Sequence, residues 1–241
     1  MTILQLDNLS FAFPHSKNFI ISDLNFSINS GDFIVLLGSN GSGKSTLLKL
    51  ISRQIYPTSG HIYLKNRLLT TYSQKKLSTT LSVLTQTISD SLFMSLTIYE
   101  NYLLRKNQRS FLTSSKNEKK FLANYLQDFN ENLITKLDCI VDQLSGGEKQ
   151  ALALALCLLN PPSILLLDEH TSALDPKTSV QIMQLTKNMA EKYGMTCIMT
   201  THDLSQAKQY ATKILALGLQ KQAKFFDLDS VTRNQLMQIY G

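Results

Sequence analysis

The chain has 241 residues, of which 43% are hydrophobic and 17% charged, and a formal net charge of +6. This balance describes a folded globular protein with a sizeable core and excludes a disordered chain. The longest apolar run, residues 151–159, is about half of what a bilayer requires, so no membrane-spanning helix is expected.

In chain order, residues 4–13 and 20–28 read as strands, and Asn29, Ser30, Gly31 and Asp32 as the turn into a buried strand at 33–37. A glycine-rich loop follows, then a helix beginning near Thr46. Residues 57–60 form a second turn, leading to a strand at 61–64, and a further strand at 81–84 ends at Gln86. From about residue 92 the texture becomes helical. Thr97 and Glu100 have capping-box spacing, and Phe121, Leu122, Tyr125, Leu126 and Phe129 recur at helical spacing as one packed face. Between them residues 105–118 form a polar connector. Strands at 164–167 and 195–200 flank a helix at 177–192, and a last helix is expected at 232–239. The pattern is a helical block inserted into a mostly parallel α/β core, with ligands at the C-terminal ends of the strands.

The positive excess suits an anionic partner or simply a solvated surface. Much of it is local, in Arg105, Lys106, Arg109, Lys116, Lys119 and Lys120, with no interleaved aromatics of the kind that stack on bases, and no nucleic-acid partner is expected. Cys139, Cys157 and Cys197 are far apart and lack metal-ligand spacing, so they read as buried thiols in a reducing compartment. The N-terminus carries no basic and apolar leader pattern, and the expected location is cytoplasmic.

Gly38, Ser39, Asn40, Gly41, Ser42, Gly43, Lys44, Ser45 and Thr46 fit the phosphate-loop pattern G-x-x-x-x-G-K-[ST] between a strand and a helix. Glycines let successive N–H groups turn toward phosphate oxygens, and the helix N-terminus adds its positive dipole end. Lys44 can reach terminal phosphates, and the Ser45 hydroxyl can ligate Mg²⁺. The strand at 164–167 ends in Asp168 and Glu169, placing two carboxylates at its tip: Asp168 suits Mg²⁺, and Glu169 suits an attacking water. Ser145, Gly146 and Gly147 open an apolar helix and form a second potential anion site. His170 reads as a loop side chain without a ligand role, and His15 and His61 as incidental.

With these motifs the chain resembles the ATP-binding cassette (ABC) transporter family along essentially its whole length. The phosphate loop resembles Walker A, residues 164–169 resemble Walker B, and residues 144–148 resemble the family signature. Gln86 resembles the Q-loop glutamine, residues 172–175 the D-loop with Asp175, and His202 the switch histidine. Phe13 takes the place of the aromatic that stacks on adenine. Glu148 departs from the usual signature Gln, and Ala151 from a frequent Arg.

The resemblance implies one cassette over residues 1–241: a P-loop NTPase (RecA-like) core with an antiparallel β subdomain (about 1–90 and 160–241) and an inserted helical subdomain (about 91–159). It further implies ATP held with Mg²⁺ by Ser45, Gln86 and Asp168, with Glu169, His202 and Lys44 in catalysis. Each ATP would lie between Lys44 of one copy and Ser145, Gly146 and Gly147 of the other. The implied partners are a second cassette, a membrane permease and a substrate-binding protein, with the chain peripheral on the inner face of the membrane. Residues 168–178 resemble a narrower branch associated with amino-acid uptake. The alternatives are a soluble ATPase of the same family acting on DNA or ribosomes, and an exporter component.

Overall fold

The structure, a computed structural model, describes residues 1–16, 18–106, 116–202, 204–218 and 223–227. The expected helix at 232–239, most of the polar connector at 105–118, and Arg109 of the basic segment lie outside the described residues. The chain divides into two units, one of residues 1–83, 162–169 and 190–241, the other of residues 84–161 and 170–189.

Two sheets build the first unit. β1 (Thr2–Phe11), β2 (Ile21–Asn29), β4 (Ser59–Leu64) and β5 (Arg67–Leu68) form an antiparallel sheet in the order β2-β1-β4-β5. The second sheet has the order β10-β9-β3-β8-β7-β6. Its members are β3 (Phe33–Leu37), β6 (Leu81–Leu84), β7 (Ile164–Asp168), β8 (Thr196–Thr200), β9 (Lys213–Leu217) and β10 (Ala223–Asp227). The pairs of β3 with β8 and β9, and of β7 with β8, are parallel. β3 and β8 are buried at every position, as expected of parallel strands covered on both faces. β10 closes one edge antiparallel to β9.

The core of this unit joins both sheets to α1 (Lys44–Ile51): Leu6, Leu9 and Leu64 meet Ile34, Leu36, Leu47, Leu50, Leu166 and Ile198. Full burial of each such side chain stabilises by about 1.5–3 kcal/mol. The register sets Asp168 at the tip of β7 beside Thr200 at the tip of β8. A short helix α2 (Gln74–Thr80), capped by Ser73, precedes β6.

The second unit is helical. α3 (Ile98–Lys106) starts in a capping box: Thr97 N–H donates to Glu100 Oε2 at 2.8 Å, and Glu100 N–H donates to Thr97 Oγ1 at 3.1 Å. Buried Asn101 ties this start to the preceding loop, accepting from Phe93 N–H at 2.8 Å and donating to Phe93 O at 3.0 Å. On α4 (Lys116–Gln127), Leu122 and Leu126 are buried, as is Phe129 just beyond it. The expected apolar face is narrower than its spacing suggested, because Phe121 is 56% exposed and stacks on half-buried Tyr125 at the rim. Tyr125 spends its hydroxyl on Ala155 O of α5 (Gly146–Cys157) at 2.8 Å. Cys157 and Cys197 are buried as expected, but Cys139 is only half-buried, lying in the loop between two 3₁₀ turns. α6 (Pro176–Lys192) begins at a proline preceded by Asp175, which accepts from Thr178 N–H at 3.1 Å. Proline at the first helical position and aspartate before it both favour that start. In the first unit, α7 (Leu204–Tyr210) follows β8. No helix among the described residues is long and apolar enough to cross a membrane.

Candidate functional site

The phosphate loop spans the gap between β3 and α1 in the first unit. Gly41 and Gly43 hold φ of +81° and +98°, a left-handed backbone that a residue with a Cβ adopts only at a cost. Gly43 is the N-cap of α1, so the first amides of that helix open toward the loop. Lys44 Nζ folds back onto the loop, donating to Gly38 O at 2.8 Å and Ser39 O at 3.1 Å. Burial lowers the Lys44 pKa, and the charges of Glu169 and Asp168 only partly restore it. The hydroxyls of Ser39 and Ser42 are buried without a hydrogen-bond partner. Two orphaned donors and a desolvated ammonium in one loop call for an anion.

A cavity of about 290 Å³ opens over this loop, lined by Asn40, Gly41, Gly43, Lys44, Ser45 and Thr46, with Phe13, Ile20 and Glu169 at its sides. Phe13 is 51% exposed, its ring edge-on to Phe11 at 5.1 Å, which leaves an aromatic surface at the cavity. At the other side Asp168 Oδ1 accepts from Ser45 Oγ at 3.0 Å and from Thr200 Oγ1 at 2.7 Å. Glu169 N–H donates to the same Thr200 hydroxyl at 2.9 Å. Glu169 has φ of +45°, an uncommon conformation for a residue with a side chain, and one that clusters at functional sites. His202 Nδ1 stands 3.9 Å from Glu169 Oε1. A hydroxyl and a carboxylate oxygen side by side are hard donors of the kind Mg²⁺ takes, so the residues fit that ion.

The structure thus brings together, within the first unit, the expected Phe13, residues 38–46, Asp168, Glu169 and His202. Gln86, Ser145, Gly146, Gly147 and Asp175 belong to the second unit. There, Gln86 Nε2 donates to Ser172 Oγ at 3.2 Å. Ser145 caps α5, its Oγ accepting from Glu148 N–H at 3.3 Å. His170 is in a loop as expected but is only 4% exposed, with Nε2 3.3 Å from Thr186 Oγ1. The Thr186 hydroxyl donates to Ile182 O at 2.8 Å, so His170 Nε2 carries the proton and Nδ1 is left without a partner. Sequence reasoning missed Thr200 and Ile20, and it named Ser172 only as part of the D-loop, without its bond to Gln86. Only the pairing of β7 with β8 could have singled out Thr200.

A phosphate loop after β3, with two acids at the tip of β7 one strand beyond its neighbour β8, defines a nucleotide-hydrolysing P-loop protein. The family model described as ABC transporter matches residues 21–172, and the chain belongs to that family. It is 38% identical over 221 residues to a tyrosine transport ATP-binding protein of Clostridioides difficile, covering 89% of this chain and 88% of the relative. It is 32% identical over 218 residues to the methionine import ATP-binding protein MetN 1 of Enterococcus faecalis, but spans only 60% of that relative's length. Among solved structures it is similar to the ATP-binding cassette MJ0796, a dimer in a post-hydrolysis state bound to ADP and Pi. There the TM-score is 0.75 at 28% identity, over 94% of this chain and 99% of that one. The fold is that of an ABC cassette, and the chain is an ATP-binding, ATP-hydrolysing subunit of an ABC transporter.

Proposed function

We propose that this chain powers amino-acid import through a separate membrane permease, acting as a pair of identical ATP-binding subunits on the inner face of the membrane. The observation that carries the catalytic part is the cluster of Ser45, Asp168, Thr200 and Glu169 at the mouth of the phosphate-loop cavity, joined by hydrogen bonds of 2.7–3.0 Å. The names of the two relatives support an amino acid as the solute, that of the methionine relative supports the inward direction, and the dimeric cassette supports two copies.

In this reading the amides of residues 41–45 cradle the phosphates. Lys44 Nζ exchanges its loop carbonyls for phosphate oxygens, and the Ser39 and Ser42 hydroxyls gain the acceptors they lack. Phe13 offers its ring to adenine. Ser45, Asp168 and the Gln86 side-chain carbonyl would hold Mg²⁺, which when bound offsets phosphate charge. Glu169 accepts the proton of the attacking water, and His202 keeps that carboxylate in place and contacts the γ-phosphate. Ser145, Gly146 and Gly147 cover the same nucleotide from a second copy, with Asp175 at that boundary. The nucleotide then joins the copies until hydrolysis divides its charge between two products that repel. The proposed division is a RecA-like core with its β subdomain and a helical subdomain; the two units support it apart from residues 170–189, expected in the core, which group with the second unit.

Tagged chain purified from detergent-solubilised membranes should bring down a polytopic permease. In proteoliposomes that complex should show ATPase stimulated by tyrosine or a related amino acid presented with its binding protein. Recovery of ribosomes or DNA in place of a membrane protein would overturn the reading.

A further inference from the structure

Glu148 places a carboxylate in the first turn of α5 with only 6% of its surface exposed. Its Oε2 accepts from Ser145 N–H at 3.0 Å, while its own N–H donates to Ser145 Oγ at 3.3 Å, closing a capping box. The helix dipole favours an anion here. The same positive helix end is where the proposed site receives the nucleotide of a second copy, so an uncompensated carboxylate would repel the phosphates it is meant to hold.

Lys136 resolves the conflict. It ends the 3₁₀ turn Glu131–Lys136, and its Nζ lies 2.6 Å from Glu148 Oε1. Burial pushes the Glu148 pKa up, but Lys136 and the Ser145 donor outweigh it and hold the group below the usual carboxylate value, so it is charged at neutral pH. Neighbouring Lys149 is directed elsewhere, to Asp142, donating to its backbone O at 2.9 Å and lying 3.7 Å from its Oδ1.

We propose that Lys136 is a positioning residue for the ATP site, neutralising Glu148 so that the helix start at Ser145, Gly146 and Gly147 can accept the triphosphate of a second copy. The inference rests on the reading that these three residues complete the partner's site. Lys136 and Glu148 form one functional unit. A glutamine at position 148 would close the same capping box through its amide oxygen without charge, and the lysine would then be unnecessary.

The test is ATP-driven dimerisation of the full chain in the Glu169→Gln background, followed by sedimentation, beside ATP affinity of the isolated copy at low protein concentration. Lys136→Met should raise the ATP concentration for half-maximal dimer by about tenfold, the effect of one unit charge at about 10 Å in a medium of effective dielectric about 20. Affinity of the isolated copy, which depends on the loop of Lys44, should stay within about twofold. Lys136→Arg should dimerise like the parent. Adding Glu148→Gln to Lys136→Met should restore dimerisation to the level of Glu148→Gln alone.

An equal loss from Lys136→Met with and without Glu148→Gln would overturn the inference, as would no loss at all. If Lys136→Met does not fold, Lys136→Gln carries the same expectations. Gly146→Asp separates this outcome from failure of the underlying reading. It puts a new carboxylate on the same helix start and should abolish dimerisation, and normal dimerisation of that variant would show that the helix start does not meet phosphate.

Discussion

Thr200→Val offers the sharpest test of how the acids at the tip of β7 are held. Thr200 is 1% exposed, and its one hydroxyl serves both, donating to Asp168 Oδ1 at 2.7 Å and accepting from Glu169 N–H at 2.9 Å. Valine has nearly the same shape, so the change leaves no cavity and the cost is polar. The Glu169 amide loses its partner, about 1–3 kcal/mol when buried, while Asp168 keeps the Ser45 hydroxyl and loses less. Together these give about 2–3 kcal/mol, or about 5–10 °C in Tm for a chain of this length. Glu169 sits at φ of +45° and the bond from its amide helps fix that backbone. Releasing it should lower kcat by about tenfold or more through misplacement of the carboxylate, with KM for ATP within about threefold. Differential scanning fluorimetry and steady-state ATPase assays measure both. A Tm within about 1 °C of the parent together with unchanged kcat would show that this hydroxyl does not organise the two acids.

Glu169→Gln should keep ATP binding and accumulate a dimer on size exclusion with ATP and Mg²⁺; a monomer alone would count against the paired site. Lys44→Ala should abolish nucleotide binding measured by calorimetry, since it removes the ammonium that now sits on Gly38 O and Ser39 O, and unchanged affinity would sink the phosphate-loop assignment. His170 carries a pH signature. Burial holds its imidazole neutral, with a pKa of about 4 against an ordinary 6.5. Between those values the unfolded chain binds a proton that the folded chain does not, so stability is full above the unfolded pKa and falls as pH drops. The loss is about 1 kcal/mol at pH 5.5 and about 3 kcal/mol near pH 4. His170→Gln should flatten that part of the curve of Tm against pH, and parallel curves for parent and variant would refute the assignment.

The elements legible in the sequence are those whose signals are local. The loop at residues 38–46 declares itself by its glycines, and β7 by four apolar residues ending in acids. The hairpin of β4 and β5 escaped notice because its turn uses Lys65 and Asn66 at φ of +49° and +60°, where a glycine would have given the signal. β9 is Lys213 and a four-residue apolar run without punctuation that distinguishes strand from helix. Phe121 fits the helical spacing, yet exposure depends on the width of the groove it meets, which no periodicity contains. Pairings distant in sequence were out of reach. Thr200 meets Asp168 across 32 positions, and His170 finds Thr186 16 positions on, although its immediate neighbours are polar. Lys136 was one lysine among many until its partner was seen.

A Cβ built on Gly147 would come within 2.6 Å of Thr178 Cγ2, while one on Gly146 would stand 3.2 Å from Leu174 Cδ2. Gly147 is therefore a spacer between the start of α5 and the first turn of α6, whatever else its amide does. An alanine there would act as a wedge, and a dead Gly147→Ala variant would not by itself report a lost phosphate contact. Suppressor genetics can tell the two injuries apart. Thr178→Ser removes the methyl group that the wedge would strike, so it should revive Gly147→Ala if the damage is steric and leave it dead if the missing partner is the nucleotide.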